Sequence, residues 1–550
     1  MLIRLFCIMS FFLFLLSVLN PIHTLPWGSF FSEFLAFVAG WLLLPSLFCK
    51  DVKININTLP FLIICFVPLV QYYLGQIFFF SNSLFSSIGL FYFWMMMVVG
   101  SNLKINKNLD IVFFLSILFV SVSFLSSFIS ILQWLNISGN SLFIMSLIGN
   151  RPYANMAQPN HLATFLCMGI FSCWYLFETK KIPCFMFFLL FFIFSISIAL
   201  TQSRTAWLIL LLSFIFMLVS IKKYKLRLSY VQLSFSGLFF IFCNLGLYYL
   251  DKVLQPYFNV VKTNSVIERA SEGYGRLKIW NQMVHAIVDE PWFGYGWNQT
   301  TAAQFRVIDK VPSQEWVTSA HNLMLDIIIW CGVPLGGIIL IYLFYFYIKI
   351  LINIFDFEGV FCFLIISSVL IHSFLEFPIY YSYFFIPVGL LIGSQLKYET
   401  INTIRVNYRM VVFLFFVIIF GGIGIFKEYL KINDNIFAGK LHAMGNLRSE
   451  VILPYKLVFF DFFDSRSKWI ALYPKMKVDK EKLFLGREMV QVYLKPYDIQ
   501  KYALLLAYNG YELEAKRQLK ILEVLYGQKV SYQSLFEAEM INKVSHDHDE

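Results

Sequence analysis

The chain has 550 residues, of which 59% are hydrophobic, 19% aromatic and only 14% charged. That is far more apolar surface than one soluble core can bury, which excludes a soluble globular enzyme and predicts an all-α polytopic membrane protein. The net charge of +10 comes mostly from loops on one side of the membrane, and no nucleic-acid-binding motif accompanies it, so no nucleic-acid partner is expected.

A spanning helix needs about 20 apolar residues. Such runs fall near 5–19, 28–49, 59–79, 84–100, 110–134, 157–177, 183–200, 205–221, 230–250, 322–348, 359–376, 378–396 and 410–426, predicting about 12–13 transmembrane helices. The first run follows Arg4, but the LNPIHTLPWG after it lacks a small-x-small cleavage site, so it reads as a retained helix and not a secretion signal. Basic residues favour the cytoplasmic side. With the N-terminus inside, fifteen Lys and Arg fall in the cytoplasmic loops (Arg4 to Arg409), whereas the short outer loops hold two, Arg151 and Arg204.

The expected organisation is therefore residues 1–250 as nine helices, 251–321 as a large periplasmic loop, 322–426 as four further helices, and 427–550 as a periplasmic helical C-terminal domain. In that last region YALLLAYNGYELEAKRQLKILEVLYG reads as a helical hairpin turning at Asn509–Gly510, with Ala503, Ala507 and Ala515 at the contact. It resembles one tetratricopeptide-type repeat. The terminal SHDHDE reads as a polar tail and not a metal site. All nine cysteines lie in or beside apolar runs, with neither a disulfide framework nor zinc spacing.

Polar groups at membrane depth are costly and tend to line cavities, and the outer face collects most of them. RPYANMAQPNHLATFL (151–166) brings Arg151, Gln158 and Asn160 to a helix start interrupted by Pro152 and Pro159; a Pro-punctuated loop capped by Asn160 and His161 accounts for it equally well. In TQSRTAWL, Arg204 has almost no loop to carry it, which suggests an anion partner, with snorkelling to headgroups as the alternative. In GYGRLKIWNQMVHAIVDEPWFGYGWNQ, Arg276, Trp280 and Val284 share a helical stripe that suits an interfacial helix, and Gly294 and Gly296 follow as a turn. His321 and Asn322 open the next helix, where an imidazole can take a proton near neutral pH or merely cap. Glu376 stands in the outer turn HSFLEFPIYYSYFF, with His372, Tyr381 and Tyr383. Carboxylates here are sparse and unpaired in sequence, so neither a metal nor another cofactor is expected. No nucleotide-binding loop or serine elbow is present.

RPYANMAQPNHLA, QSR, the R-x-x-x-W and P-x-x-G-x-G pair, and HN before G-x-P, in this order, resemble the O-antigen ligase and polymerase superfamily. The nearest branch is the bacterial protein O-oligosaccharyltransferases of the pilin-glycosylation type. The resemblance is good over 140–395 and looser beyond. It implies a metal-independent class C glycosyltransferase of the bacterial inner membrane with its active site facing the periplasm. Such an enzyme moves a preassembled glycan from undecaprenyl pyrophosphate to Ser or Thr of an acceptor such as pilin. The family's essential histidine falls on His321, its QPN glutamine on Gln158, and its aromatic position after the acidic-x-P turn on Tyr381, with Tyr380 and Tyr383 nearby. Its phosphate-facing arginines fall on Arg204 and Arg276, with Arg151 as a third. Asn160, Asn322 and Glu376 would orient substrate. The rival acceptors are glycolipids, as for a lipid A-core O-antigen ligase or an O-antigen polymerase. A rival of another class is a flippase for the same lipid, which should show internal repeats or a charged path across the whole membrane.

Overall fold

The structure is a computed structural model and describes residues 2–48, 50–107, 109–137, 141–262, 274–396 and 402–537. Lys397, Cys49, part of the large loop and the SHDHDE tail lie outside the described residues. The helices are α1 (Leu2–Leu19), α2 (Phe30–Trp41), α3 (Leu59–Ile64), α4 (Val67–Tyr73), α5 (Phe80–Asn106), α6 (Ile111–Trp134), α7 (Pro159–Glu178), α8 (Cys184–Thr201), α9 (Arg204–Lys223) and α10 (Tyr230–Leu254). There follow α11 (Tyr274–Asp289), α12 (Thr300–Val307), α13 (Leu323–Ile352), α14 (Phe357–Ser373), α15 (Ser382–Gln395), α16 (Tyr408–Met444), α17 (Asp461–Ala471), α18 (Lys480–Val492), α19 (Pro496–Tyr508) and α20 (Glu512–Tyr526). Among the described residues the only sheet is a two-stranded ribbon, β1 (Val52–Asn55) antiparallel to β2 (Thr403–Val406), with Val52 opposite Val406. The chain is thus an all-α membrane protein. Each apolar run carries helix; among the described residues ten segments have the length and hydropathy to cross a membrane, and α1, α14 and α15 are shorter apolar helices.

The chain forms two compact units, one of residues 1–62, 89–273 and 343–419, the other of 63–88, 274–342 and 420–550. In the first, α7 is the central helix: every residue from Asn160 to Phe177 is buried, against α6, α8, α9 and α14. Small residues permit the approach. A Cβ on Gly169 would lie 2.2 Å from the Ser123 hydroxyl of α6, and one on Gly393 of α15 would lie 2.0 Å from the Met97 carbonyl of α5. Close backbone contact of this kind supplies the packing that apolar side chains alone do not supply in lipid.

In the second unit α13 is not the uninterrupted helix that its hydropathy suggests. Gly332 takes φ 72° and ψ 171°, and Pro334 follows. Proline lacks the N–H that would reach Trp330, and Gly332 turns the Val333 N–H away from Ile329. The turn PWFGYG repairs both losses. Tyr295 N–H donates to the Ile329 carbonyl at 2.8 Å, Gly296 N–H to that of Trp330 at 3.0 Å, and Val333 N–H to that of Pro291 at 2.7 Å. Gln71 of α4 adds a 2.8 Å bond to the Trp330 carbonyl. Irregular backbone in a spanning helix survives only when protein satisfies it in this way. Gly294 is required because a Cβ there would sit 2.5 Å from both Gly332 N and the Ile329 carbonyl, at φ +69°. We expect Gly294→Ala to destabilise the folded protein by about 1–3 kcal/mol. Gly337→Ala in the same helix, with open space around its Cβ, should be neutral or slightly stabilising. Thermal unfolding of the two variants in detergent compares them directly.

The last spanning helix does not stop near 426 but continues to Met444. Beyond it, the predicted hairpin is present as α19 and α20, with Ala503, Ala507 and Ala515 buried at its contact. Asp461 caps α5, its carboxylate accepting from Phe80 N–H at 2.9 Å and Ser81 N–H at 2.7 Å. Arg517 of α20 reaches Asp309 at 2.6 Å and the Phe305 carbonyl of α12 at 2.8 Å. The C-terminal helices therefore pack onto the large loop within one unit.

Candidate active site

In the first unit the stretch that leads into α7 is held in place by amides. Gln133, in the last turn of α6, accepts from Tyr153 and Ala154 N–H at 3.1 and 2.8 Å and donates to the Ala154 carbonyl at 2.8 Å. The Asn155 amide donates to the Leu19 carbonyl at 2.7 Å. These bonds hold Ala154 and Ala157 at positive φ, a conformation that costs alanine strain unless its surroundings impose it. Pro159 then occupies the first turn of α7, where its missing N–H is harmless. The cap is neither Asn160 nor His161: Gln158, in extended backbone, accepts from His161 N–H at 2.9 Å.

That arrangement leaves Asn160 to bridge two charges. Its oxygen accepts from Arg151 at 3.0 Å, and its amide donates to Glu376 at 3.2 Å. Arg151 also donates to the carbonyl of Thr201, the last residue of α8, at 2.8 Å. Gln202 follows in left-handed conformation and breaks the helix; Arg204, exposed, is the first residue of α9. A guanidinium near a helix N-terminus, with a second three residues from it through the Thr201 carbonyl, suits an anion. The QPN and QSR stretches and Glu376 thus converge on one place.

Next to Asn160 lies a cluster of aromatic rings and imidazoles that surrounds Tyr381 with His161 and His372, two histidines to which the sequence assigned no chemical role. His161 and His372 have their ring centres 5.5 Å apart. Thr164 is 2.9 Å from His372 Nδ1, and the Tyr383 hydroxyl is 3.3 Å from His161 Nδ1. Tyr381, half-buried, places its ring 4.6 Å from that of His161. Glu33 of α2 accepts from Ser382 N–H at 2.7 Å. It is the sole acidic residue among the first fifty, and that isolation in an apolar run was the available signal for it.

In the second unit His321 is not in the first turn of its helix. It precedes α13 with φ 52°, and Asn322 caps instead, accepting from Met324 and Leu325 N–H at 3.0 and 3.2 Å. Asp326, buried in the first turn of α13, braces the His321 loop. It accepts from Ala320 N–H at 2.9 Å, from the Ser319 hydroxyl at 2.5 Å and from the Thr300 hydroxyl at 2.8 Å. Trp280 of α11 donates to the Ala320 carbonyl at 3.0 Å, so the helix that bears Arg276 one turn earlier packs on the same loop. At the far end of α11, Lys310 and Arg306 hold the Asp289 carboxyl below its usual range. Arg276, His321 and Asn322 are thus in one unit; Arg151, Gln158, Asn160, Arg204, Glu376 and Tyr381 are in the other.

Comparison with known proteins gives three family matches: O-antigen ligase over residues 189–341, the C-terminal region of a virulence-factor membrane-bound polymerase over 360–438, and protein glycosylation ligase over 152–177. The chain is 33% identical over 547 residues to a general O-oligosaccharyltransferase of Acinetobacter baylyi, covering 96% of this chain and 95% of the relative. It is 32% identical over 350 residues to a ComP-specific O-oligosaccharyltransferase of the same organism, covering 62% of each.

Proposed function

This chain belongs to the O-antigen ligase family, on the branch of the O-oligosaccharyltransferases, and from that premise we propose that it acts on undecaprenyl pyrophosphate-linked glycan at the periplasmic face of the bacterial inner membrane. It is a multi-pass membrane glycosyltransferase that moves a preassembled oligosaccharide from a lipid-linked donor to protein. The acceptor in our reading is a pilin or another exported protein, modified on Ser or Thr, with 251–321 and 427–550 on the periplasmic side. The observation that carries the reading is the likeness to a general O-oligosaccharyltransferase through nearly the whole of both chains.

In the reaction the acceptor hydroxyl attacks the anomeric carbon, the bond from that carbon to the pyrophosphate oxygen breaks, and the lipid pyrophosphate leaves with the electron pair. Arg204 and Arg276 stabilise the charge that grows on the leaving phosphate, with Arg151, bonded to the Thr201 carbonyl three residues before Arg204, as a third. His321 takes the proton of the hydroxyl. Gln158, whose oxygen is committed to capping α7, offers its amide N–H groups to sugar or acceptor, and Tyr381 supplies an aromatic edge and a hydroxyl. Asn160 and Glu376 hold Arg151, and Asn322 shapes the helix start behind His321.

The test is expression with a lipid-linked glycan pathway and a candidate pilin, followed by mass spectrometry of the pilin. An exported pilin should gain the mass of one intact glycan, and the same pilin without its export signal should gain nothing. Unchanged mass on the exported acceptor, or transfer to the retained one, contradicts the reading.

A further inference from the structure

Glu33 is buried, 8% exposed, in the first turn of α2. One carboxylate oxygen accepts from Ser382 N–H at 2.7 Å, and the Ser382 hydroxyl returns a 3.3 Å bond to the Glu33 carbonyl. The other carboxylate oxygen has no hydrogen-bonding partner among the described residues. A buried carboxylate with half its capacity unused is costly, and packing alone would favour an apolar residue. Its contact tells why the position keeps one. Ser382 is the first residue of α15, and Tyr381, the residue before it, makes no side-chain cap to that helix. The first N–H groups of a helix need an acceptor, and an anion suits that end. Glu33 supplies both from a neighbouring helix, while the Phe37 and Phe385 rings, 5.8 Å apart, hold α2 and α15 together.

We propose that Glu33 is a positioning residue for glycan transfer: by anchoring the start of α15 it fixes the backbone of Tyr381 and keeps that ring against His161. This rests on the assignment of Tyr381 to the transfer site. Removal of the carboxylate would loosen Tyr381 while leaving the arginines and His321 in place. A glutamine at this position still offers an acceptor oxygen to Ser382 N–H, so it should keep most of the anchoring that alanine loses.

Two measurements on the full-length protein in detergent test this. In hydrogen–deuterium exchange, Glu33→Ala should raise the exchange of the peptide containing Ser382, and Glu33→Gln should leave it protected. In transfer assays Glu33→Ala should lower the rate by about ten-fold, and Glu33→Gln should stay within about three-fold of the unchanged protein. Adding Glu33→Ala to Tyr381→Ala should cost nothing further, because residues that act through one another are not additive. Unchanged exchange in Glu33→Ala overturns the proposal, as does a full additional loss in the double variant. The exchange experiment needs no turnover, so an unchanged protein that fails to glycosylate any acceptor would refute the proposed function and still leave the anchoring decided.

Discussion

His321→Ala is expected to abolish transfer, lowering the rate by about 10²–10⁴-fold, the usual worth of a positioned general base. The local structure lets the experiment separate chemistry from scaffolding. Backbone and neighbouring groups brace the loop: Asp326 takes the Ala320 N–H and the Ser319 hydroxyl, and Ser319 accepts the His321 N–H at 3.0 Å. Asn322 already caps α13. The left-handed backbone at His321 is one that asparagine adopts readily. His321→Asn should therefore preserve fold, insertion and donor binding while removing the proton acceptor. Purified His321→Asn with donor in excess gives the decisive rate. Near-normal turnover would remove His321 from the chemistry and direct attention to Glu376 or the pyrophosphate itself.

Helix positions were legible because lipid imposes one rule on every span, and each apolar run carries helix. Breaks inside a span were not. Hydropathy is blind to backbone direction, so α13 read as continuous although Gly332 and Pro334 open it and the PWFGYG turn closes it again. The glycines of that turn pointed equally to packing and to a ligand, and the close approach of Gly294 to Gly332 and of Gly296 to Gln299 and Ile77 explains them by packing. Motif residues were legible as participants but less so as partners. Gln158, not Asn160 or His161, caps α7, because Pro159 fixes the first turn and leaves the preceding side chain as the acceptor. Asn160 is thereby freed to join Arg151 to Glu376, itself 216 positions further along the sequence than Asn160. Glu33 was passed over because its partner is a backbone N–H, which leaves no mark in a sequence.

Arginine to lysine at Arg204 is expected to lower transfer by about 10²–10³-fold, comparable to the loss of one donor to a developing oxyanion. Arg204 is exposed at the first position of a 20-residue helix, where the partial positive charge of the helix end adds to its own. A planar fork at that place can hold two phosphate oxygens at once, and the single ammonium of lysine cannot. Arg276→Lys should behave alike, since the role proposed for it is the same. Arg151→Lys should differ in kind. Its guanidinium spans the Thr201 carbonyl and Asn160, so replacing it disturbs how α7 meets α8, and the amount of folded protein should fall together with activity. Measuring yield, thermal stability and single-turnover rate for the three variants separates these roles. Arg204→Lys should leave the first two unchanged and lower the third; a correctly inserted Arg204→Lys protein with normal turnover would remove Arg204 from the donor site, and a fully stable Arg151→Lys protein would show that its bonds to Thr201 and Asn160 do not hold the site together.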